Sequence, residues 1–357
     1  MSTDDLALQP AIINTQPGWE YESSTRRFQG IPGIERTSGG RLWATWYGGG
    51  DGEDEGNYVV LATSDDDGTK WRDPILVIDL PGHVRAFDPC LWIDPEEKLW
   101  LFWSQSVPHW DGRAGVWCIN SDDPESETPK WFEPRRLTNG VMMNKPTVLS
   151  SGEWLLPTAV WRTDRPDFPE LDHERFSNVL ASYDSGRTFS IIGGADVPNR
   201  WGDEHMIVER NDRTLWMLVR TRYGIGESIS NDRGHTWSDG QPTDIKGPDS
   251  RFYIRRLISG NLLLVNHDNS DQRTNMTAYL SQDDGKTWQG GLLLDGRDAV
   301  SYPDGTQSED GLIYIIYDRS RREDMEILIA IFREEDILAE KPISGEVRLH
   351  VLCNKGG

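Results

Sequence analysis

Six segments of the chain follow one plan: a short apolar stretch, a polar turn, then a second stretch dense in apolar and aromatic side chains. They read GIERTSGGRLWATW from Gly33, PCLWIDPEEKLWLFW from Pro89 and PTVLSSGEWLLPTAVW from Pro146. The others are MIVERNDRTLWMLVR from Met206, FYIRRLISGNLLLVNH from Phe252 and TQSEDGLIYIIYD from Thr306. Short apolar runs broken by Gly, Asn, Asp and Ser predict antiparallel hairpins. REEDILAEK, near residue 333, predicts a short terminal helix.

An octapeptide, S-x-D-x-G-x-T-W, recurs between the hairpins. It reads SYDSGRTF at Ser182–Phe189, SNDRGHTW at Ser230–Trp237 and SQDDGKTW at Ser281–Trp288. SDDDGTKW at Ser64–Trp71 is a near match, and a lengthened copy, SDDPESETPKW, begins at Ser121. The starts fall roughly every fifty to sixty residues, the length of one four-stranded propeller blade. The Asp carboxylate can accept bonds from turn amides, the Gly permits positive φ, and the aromatic anchors the turn. Asp66, Asp184, Asp232 and Asp283 are therefore read as folding elements, not general acids. Six hairpins and five octapeptide sites predict an all-β fold, a six-bladed β-propeller, as a single domain over residues 1–357. The last blade lacks its octapeptide, so closure is expected to pair PAIINT or EVRLHVLC with a partner strand.

Composition narrows the partners. The formal net charge of −22 disfavours nucleic acid or acidic lipid, because phosphate surfaces would repel it. A local basic cluster can still hold a small anion. The three cysteines, Cys90, Cys118 and Cys353, lack metal-ligand spacing, and Cys90 in the apolar run CLWI reads as a buried thiol. No clustered Cys/His pattern favours a transition metal, and no cofactor is expected. No apolar run approaches the ~18 residues of a membrane span, and no secretion signal is seen at the N-terminus, so the expectation is a cytoplasmic protein.

The octapeptides resemble the Asp boxes of the sialidase superfamily, and among its members the chain most resembles the bacterial sialidase-like, BNR-repeat proteins. In that architecture the box turns join the two outer strands at one end of the ring. Residues before each inner strand and after each second strand converge on the other end. The first group reads FQGIP, AFDP, MMNKP, GDEH, DSRF and SYPDG; the second supplies the loops Glu53–Glu55, His109–Arg113, Arg220–Tyr223, Asn266–Arg273 and Asp318–Arg322. Acids, bases, cations and aromatics gathered around one axial cleft suit a polar sugar.

The resemblance implies a carboxylate-binding arginine triad, a Tyr nucleophile activated by a Glu, and an acid/base carboxylate. It carries the activating Glu onto Glu204, two triad arginines onto Arg220 and Arg273, and the nucleophile onto Tyr302. The acid/base falls among Glu53, Asp54 and Glu55. The first triad arginine belongs to an Arg-Ile-Pro tripeptide, which here reads Gly30-Ile31-Pro32. Gln29, Arg26 and Arg27 are the neighbours that could stand in for it. A forked guanidinium grip on carboxylate is strong and directional, and Gly supplies none, so weak turnover of ordinary α-sialosides is expected.

Other mouth positions keep two readings each. Tyr302 precedes a proline and is also a natural turn residue; Glu204 could simply pair with Arg220 or Arg222. Arg251 and Lys145 head inner strands and are candidate substrate ligands, with Arg255 and Arg256 as ion-pair partners between blades. Asp88 either binds a sugar hydroxyl or caps a turn. His205 and His267 could act as acid or base, or hydrogen-bond at the rim. The leading expectation is an exo-acting glycoside hydrolase on an acidic or polyhydroxylated carbohydrate. The rivals are a propeller-type polysaccharide lyase using His205 or His267 on a uronate, and a non-catalytic carbohydrate-binding propeller. The oligomeric state is not legible.

Overall fold

The computed structural model describes residues 6–107, 112–162 and 168–357. Six separate antiparallel sheets follow one another in chain order, and each runs from its inner strand outward, apart from an N-terminal strand added at the outer edge of the first. The inner strands are Gln29–Arg36, Arg85–Ile93, Thr147–Val148, Met206–Glu209, Tyr253–Arg256 and Val300–Gln307. The chain is a six-bladed β-propeller, as the repeat count predicts.

Both terminal segments become outer strands, on different blades. Ile12–Asn14 adds a fifth strand to blade one, Ile12 opposite Asp79, while Arg348–Lys355 completes blade six. The ring shuts through side chains between those blades. Gln29 donates from Nε2 to the Met325 carbonyl at 2.6 Å and to Asn354 Oδ1 at 2.8 Å. The helix expected near the C-terminus spans Glu334–Leu338.

Large apolar faces meet between blades. Trp92 of blade two packs edge-on against Trp154 of blade three, ring centres 4.7 Å apart, a geometry that aromatic quadrupoles favour. All three cysteines are buried free thiols.

Each octapeptide is a side-chain-to-backbone knot at the end of a third strand. In blade three Ser182 Oγ donates to Asp184 Oδ1 at 3.0 Å and accepts the Gly186 N–H at 2.9 Å; Asp184 Oδ1 also accepts the Thr188 N–H at 2.9 Å. The same bonds recur from Ser64, Ser230 and Ser281. The Thr188 amide and hydroxyl hold the Asp184 carboxyl down at about 2, so it accepts and does not donate. Strand polarity then fixes the geography. First strands begin, and second strands end, at the face opposite these knots. Ser182→Ala leaves the buried Gly186 amide unpaired and is expected to cost about 1–3 kcal/mol, read as a lower urea midpoint at unchanged slope.

Candidate functional site

The inner strands of blades one, two and six share a local fault in the ladder. Each carries one extra residue against its neighbour, between Gly30 and Gly33, Phe87 and Cys90, and Ser301 and Asp304. At each fault a non-glycine residue sits at positive φ directly before a proline: Ile31 at 58°, Asp88 at 48° and Tyr302 at 55°. Proline has no N–H to give, so the break falls where a ladder bond is already missing. Left-handed backbone is costly for such side chains and marks a re-aimed residue. The bulges turn Asp88 and Tyr302 away from the regular strand alternation at the open end of the axis.

Tyr302 is the centre of the resulting cluster. Its hydroxyl donates to Glu204 Oε1 at 3.0 Å and accepts from Arg220 Nη1 at 3.1 Å; the same Nη1 donates to Glu204 Oε1 at 2.6 Å. Arg220 Nε is held by Asp249 Oδ1 at 2.6 Å. The Arg273 and Arg321 guanidinium carbons lie 5.3 and 5.0 Å from the Tyr302 ring centre. Burial and then the Glu204 charge push the phenol up to about 12, against the pull of the three arginines. It is thus a proton-bearing donor aimed at a carboxylate. Glu204 Oε2 is buried with no hydrogen-bond partner among the described residues, an acceptor left open beside the phenol.

The backbone under Glu204 is built for this. Asp203 and Glu204 both have positive φ, and Asn144 Nδ2 donates to the carbonyls of Glu204 at 2.8 Å and His205 at 3.0 Å. Gly202, at φ 68°, leads into this turn in a backbone conformation that side chains rarely adopt.

Of the acidic loop, Glu53 reaches the cluster, pairing with Arg321 Nη1. Asp54 is spent on its own turn, accepting the Glu55 N–H at 2.9 Å, and Glu55 pairs with His83. Asp88 is buried, and burial first, with the Glu53 and Glu204 charges adding to it, raises its carboxyl to about 8. A carboxyl of that kind carries its proton at neutral pH and can donate to a hydroxyl. His109, in the blade-two loop, lies outside the described residues.

Several expected mouth ligands lie elsewhere. Gln29 is locked in the joint between blades one and six, and Arg26 with it, donating to Gln29 Oε1 at 3.1 Å; Arg27 pairs with Asp51 at the surface. None of the three stands in for the absent arginine. Lys145 and Arg251 lie on the axis beneath the mouth. Lys145 Nζ donates to Glu35 Oε1, the Leu91 carbonyl and the Ile34 carbonyl at 2.6–2.7 Å and sits 3.2 Å from Asp304 Oδ2. Arg251 donates to Asn144 Oδ1 at 2.7 Å and the Met143 carbonyl at 2.9 Å. These side chains tie five blades together and close the channel. Arg255 donates to the Pro146 carbonyl of blade three and Arg256 to the Glu209 carbonyl of blade four, as ties between blades.

The two histidines are ties as well. His205 Nε2 bonds the Asn178 carbonyl of blade three, and His267 Nε2 the Val300 carbonyl of blade six, each at 2.8 Å. Burial lowers both imidazoles to about 4. The unfolded chain, titrating near 6.5, binds more protons between those values, so stability falls as pH drops from about 6.5 toward 4. In His205→Gln the melting temperature is expected to fall less than in wild type between about pH 7 and pH 5.

Sequence reasoning missed Arg321, Asp249, Asp318 and Asn144 as parts of the site. Arg321 and Asp318 lay within a loop already read as lining the mouth, but nothing in the spacing separated Arg321 from Arg319 or Arg322.

The model of the BNR repeat-like domain matches residues 40–315. No curated protein matches the chain. Among solved structures, the Hadza microbial sialidase Hz136 is 20% identical, with a TM-score of 0.70 over 88% of this chain and 67% of that one. The intramolecular trans-sialidase of Ruminococcus gnavus is 15% identical, with a TM-score of 0.66 over 91% of this chain and 98% of its own. A Dyadobacter fermentans protein of unknown function matches at 15% identity and a TM-score of 0.64, over 85% and 93% of the two chains. At such identities these likenesses carry the fold alone, whereas the domain match spans most of the blades: the chain belongs to the BNR repeat-like family and is a sialidase-like propeller.

Proposed function

We propose that the protein is an exo-acting, retaining glycoside hydrolase for an acidic sugar, with Tyr302 as nucleophile and Glu204 as its base. The observation that carries this reading is the triangle of Tyr302, Glu204 and Arg220, with a phenol donating to a carboxylate inside a ring of guanidinium groups. A phenol is a poor nucleophile until its proton leaves, and Glu204 is within hydrogen-bond reach to take it. Attack of Tyr302 Oη on the anomeric carbon would form a glycosyl–tyrosine bond as the glycosidic bond breaks. Glu53 would give the leaving oxygen its proton and later take one from water.

Exo action is part of this reading: Lys145, Glu35, Asp304 and Arg251 pair across the axis beneath the mouth, so a sugar would enter from one side only. The ring of cations, in a chain of net charge −22, favours a carboxylated sugar over a neutral one. That the Ruminococcus gnavus trans-sialidase structure holds oseltamivir carboxylate fits such a ligand class. The histidine-centred lyase loses its support, because both imidazoles are buried against backbone carbonyls of neighbouring blades.

The test is a panel of fluorogenic glycosides, α-sialosides and β-glucuronides included, with the product anomer followed by proton NMR. Release with retained configuration is expected. Inversion would sink the nucleophile assignment, and saturable binding without turnover would leave a carbohydrate-binding propeller.

A further inference from the structure

We infer that Arg321 is a substrate-binding residue that completes the anion subsite from blade six, and that Gly30 is glycine because the Arg321 side chain crosses the space a Cβ would fill. The inference rests on the acidic-sugar reading above and names the residue by which the site grips the acid.

The geometry at Gly30 leaves little choice. A Cβ built there would collide with Arg321 Cδ, stand 2.6 Å from Cγ and lie 2.8 Å from Asp318 Oδ2. Such separations force something to move, and here the obstacle is the stem of a half-buried side chain, not its free end. Arg321 is not loosely draped. The Gln29 N–H donates to its carbonyl at 3.1 Å, Asp318 Oδ2 lies 3.8 Å from Nε, and Nη1 meets Glu53. Asp318 is itself held, accepting from Ser301 Oγ at 2.6 Å and the Ile31 N–H at 2.8 Å. The stem is thus fixed while the guanidinium reaches the Tyr302 ring, joining Arg220 and Arg273 there. Three blades each contribute one guanidinium to one side chain.

Glu53 marks what this fork binds. Its side chain is 40% exposed, whereas Asp318 on the other side of the guanidinium is fully buried. The exposed carboxylate is the one an incoming substrate carboxylate can displace, since Arg prefers planar, two-oxygen partners. Displacement would also free Glu53 toward the leaving group. A cation in this place removes the reason for expecting the site to reject carboxylated sugars.

The experiment uses the full chain and two probes, 2-deoxy-2,3-didehydro-N-acetylneuraminic acid and its methyl ester, with affinities from calorimetry and folding checked by thermal melts. Wild type is expected to prefer the acid. Arg321→Ala should weaken the acid by about tenfold to a hundredfold while leaving the ester nearly unchanged, the range for a charged hydrogen bond. Arg321→Lys, with the charge but not the fork, should recover only part. Gly30→Arg should fail to improve binding, because its Cβ would meet the Arg321 stem and Asp318 Oδ2 together. A purely structural Arg321 would weaken acid and ester alike. If wild type prefers the acid and Arg321→Ala keeps that preference, the inference falls and the functional reading stands. If wild type does not distinguish acid from ester, the acidic-sugar reading falls and this inference with it.

Discussion

Tyr302→Phe is expected to lower turnover by about 10² or more while leaving the melting temperature nearly unchanged. The substitution removes one oxygen and keeps the ring that Arg273 and Arg321 face. No cavity opens, so the packing penalty of a large-to-small change does not arise. Nor is a charge stranded, because Glu204 keeps Arg220 at 2.6 Å and Arg220 keeps Asp249 at 2.6 Å. Glu204→Gln should behave alike, retaining shape and losing the base. The double variant should fall little below either single one, since a nucleophile and its base act as a unit. Arg220→Ala differs: it strands Glu204 and should damage binding of an anionic substrate as well as turnover. The measurement is steady-state kinetics on whichever fluorogenic glycoside is cleaved, beside thermal melts. Full activity in Tyr302→Phe would end the retaining mechanism.

Lys145→Met should be the most destabilising of the changes considered, by about 3–5 kcal/mol, because it removes one partner from a buried ionic group. Burial by itself would push the Lys145 amine down, but Asp304 and Glu35 more than offset it and the net shift is upward. Without the ammonium, the Ile34 and Leu91 carbonyls each lose a donor at 2.6–2.7 Å and Glu35 faces the axis with less compensation. Glu35→Gln in the Lys145→Met background should recover part of the loss, since it removes the stranded charge. Urea unfolding with a shared slope is the measurement. A cost under about 1 kcal/mol would mean that the axial network orders the mouth without holding the ring together.

The local pattern of the chain was enough for the architecture. Two apolar stretches around a polar turn define a hairpin wherever they occur, and the octapeptide closes on itself within eight residues, as the Ser182, Asp184 and Gly186 bonds show. Blade number follows from such short-range rules, whereas the side on which the boxes lie and the loops facing the axis were read through the resemblance. The meeting of Tyr302 with Glu204 and Arg220 was legible only through resemblance, since their separations along the chain carry no periodicity.

What the tertiary structure alone decided is which members of each loop arrive. Lys145 and Asn144 are neighbours in one segment, yet Lys145 plugs the axis while Asn144 pins the Glu204 backbone. His205 adjoins Glu204 and points to another blade instead. One residue of register, or one bulge before a proline, sends a side chain to the mouth, the axis or the blade interface. Arg321 shows the same limit: the gap at Gly30 was visible in the sequence, but the side chain that crosses it comes from the far end of the chain. Contacts between blades one and six depend on ring closure, a long-range event that no local stretch of sequence encodes.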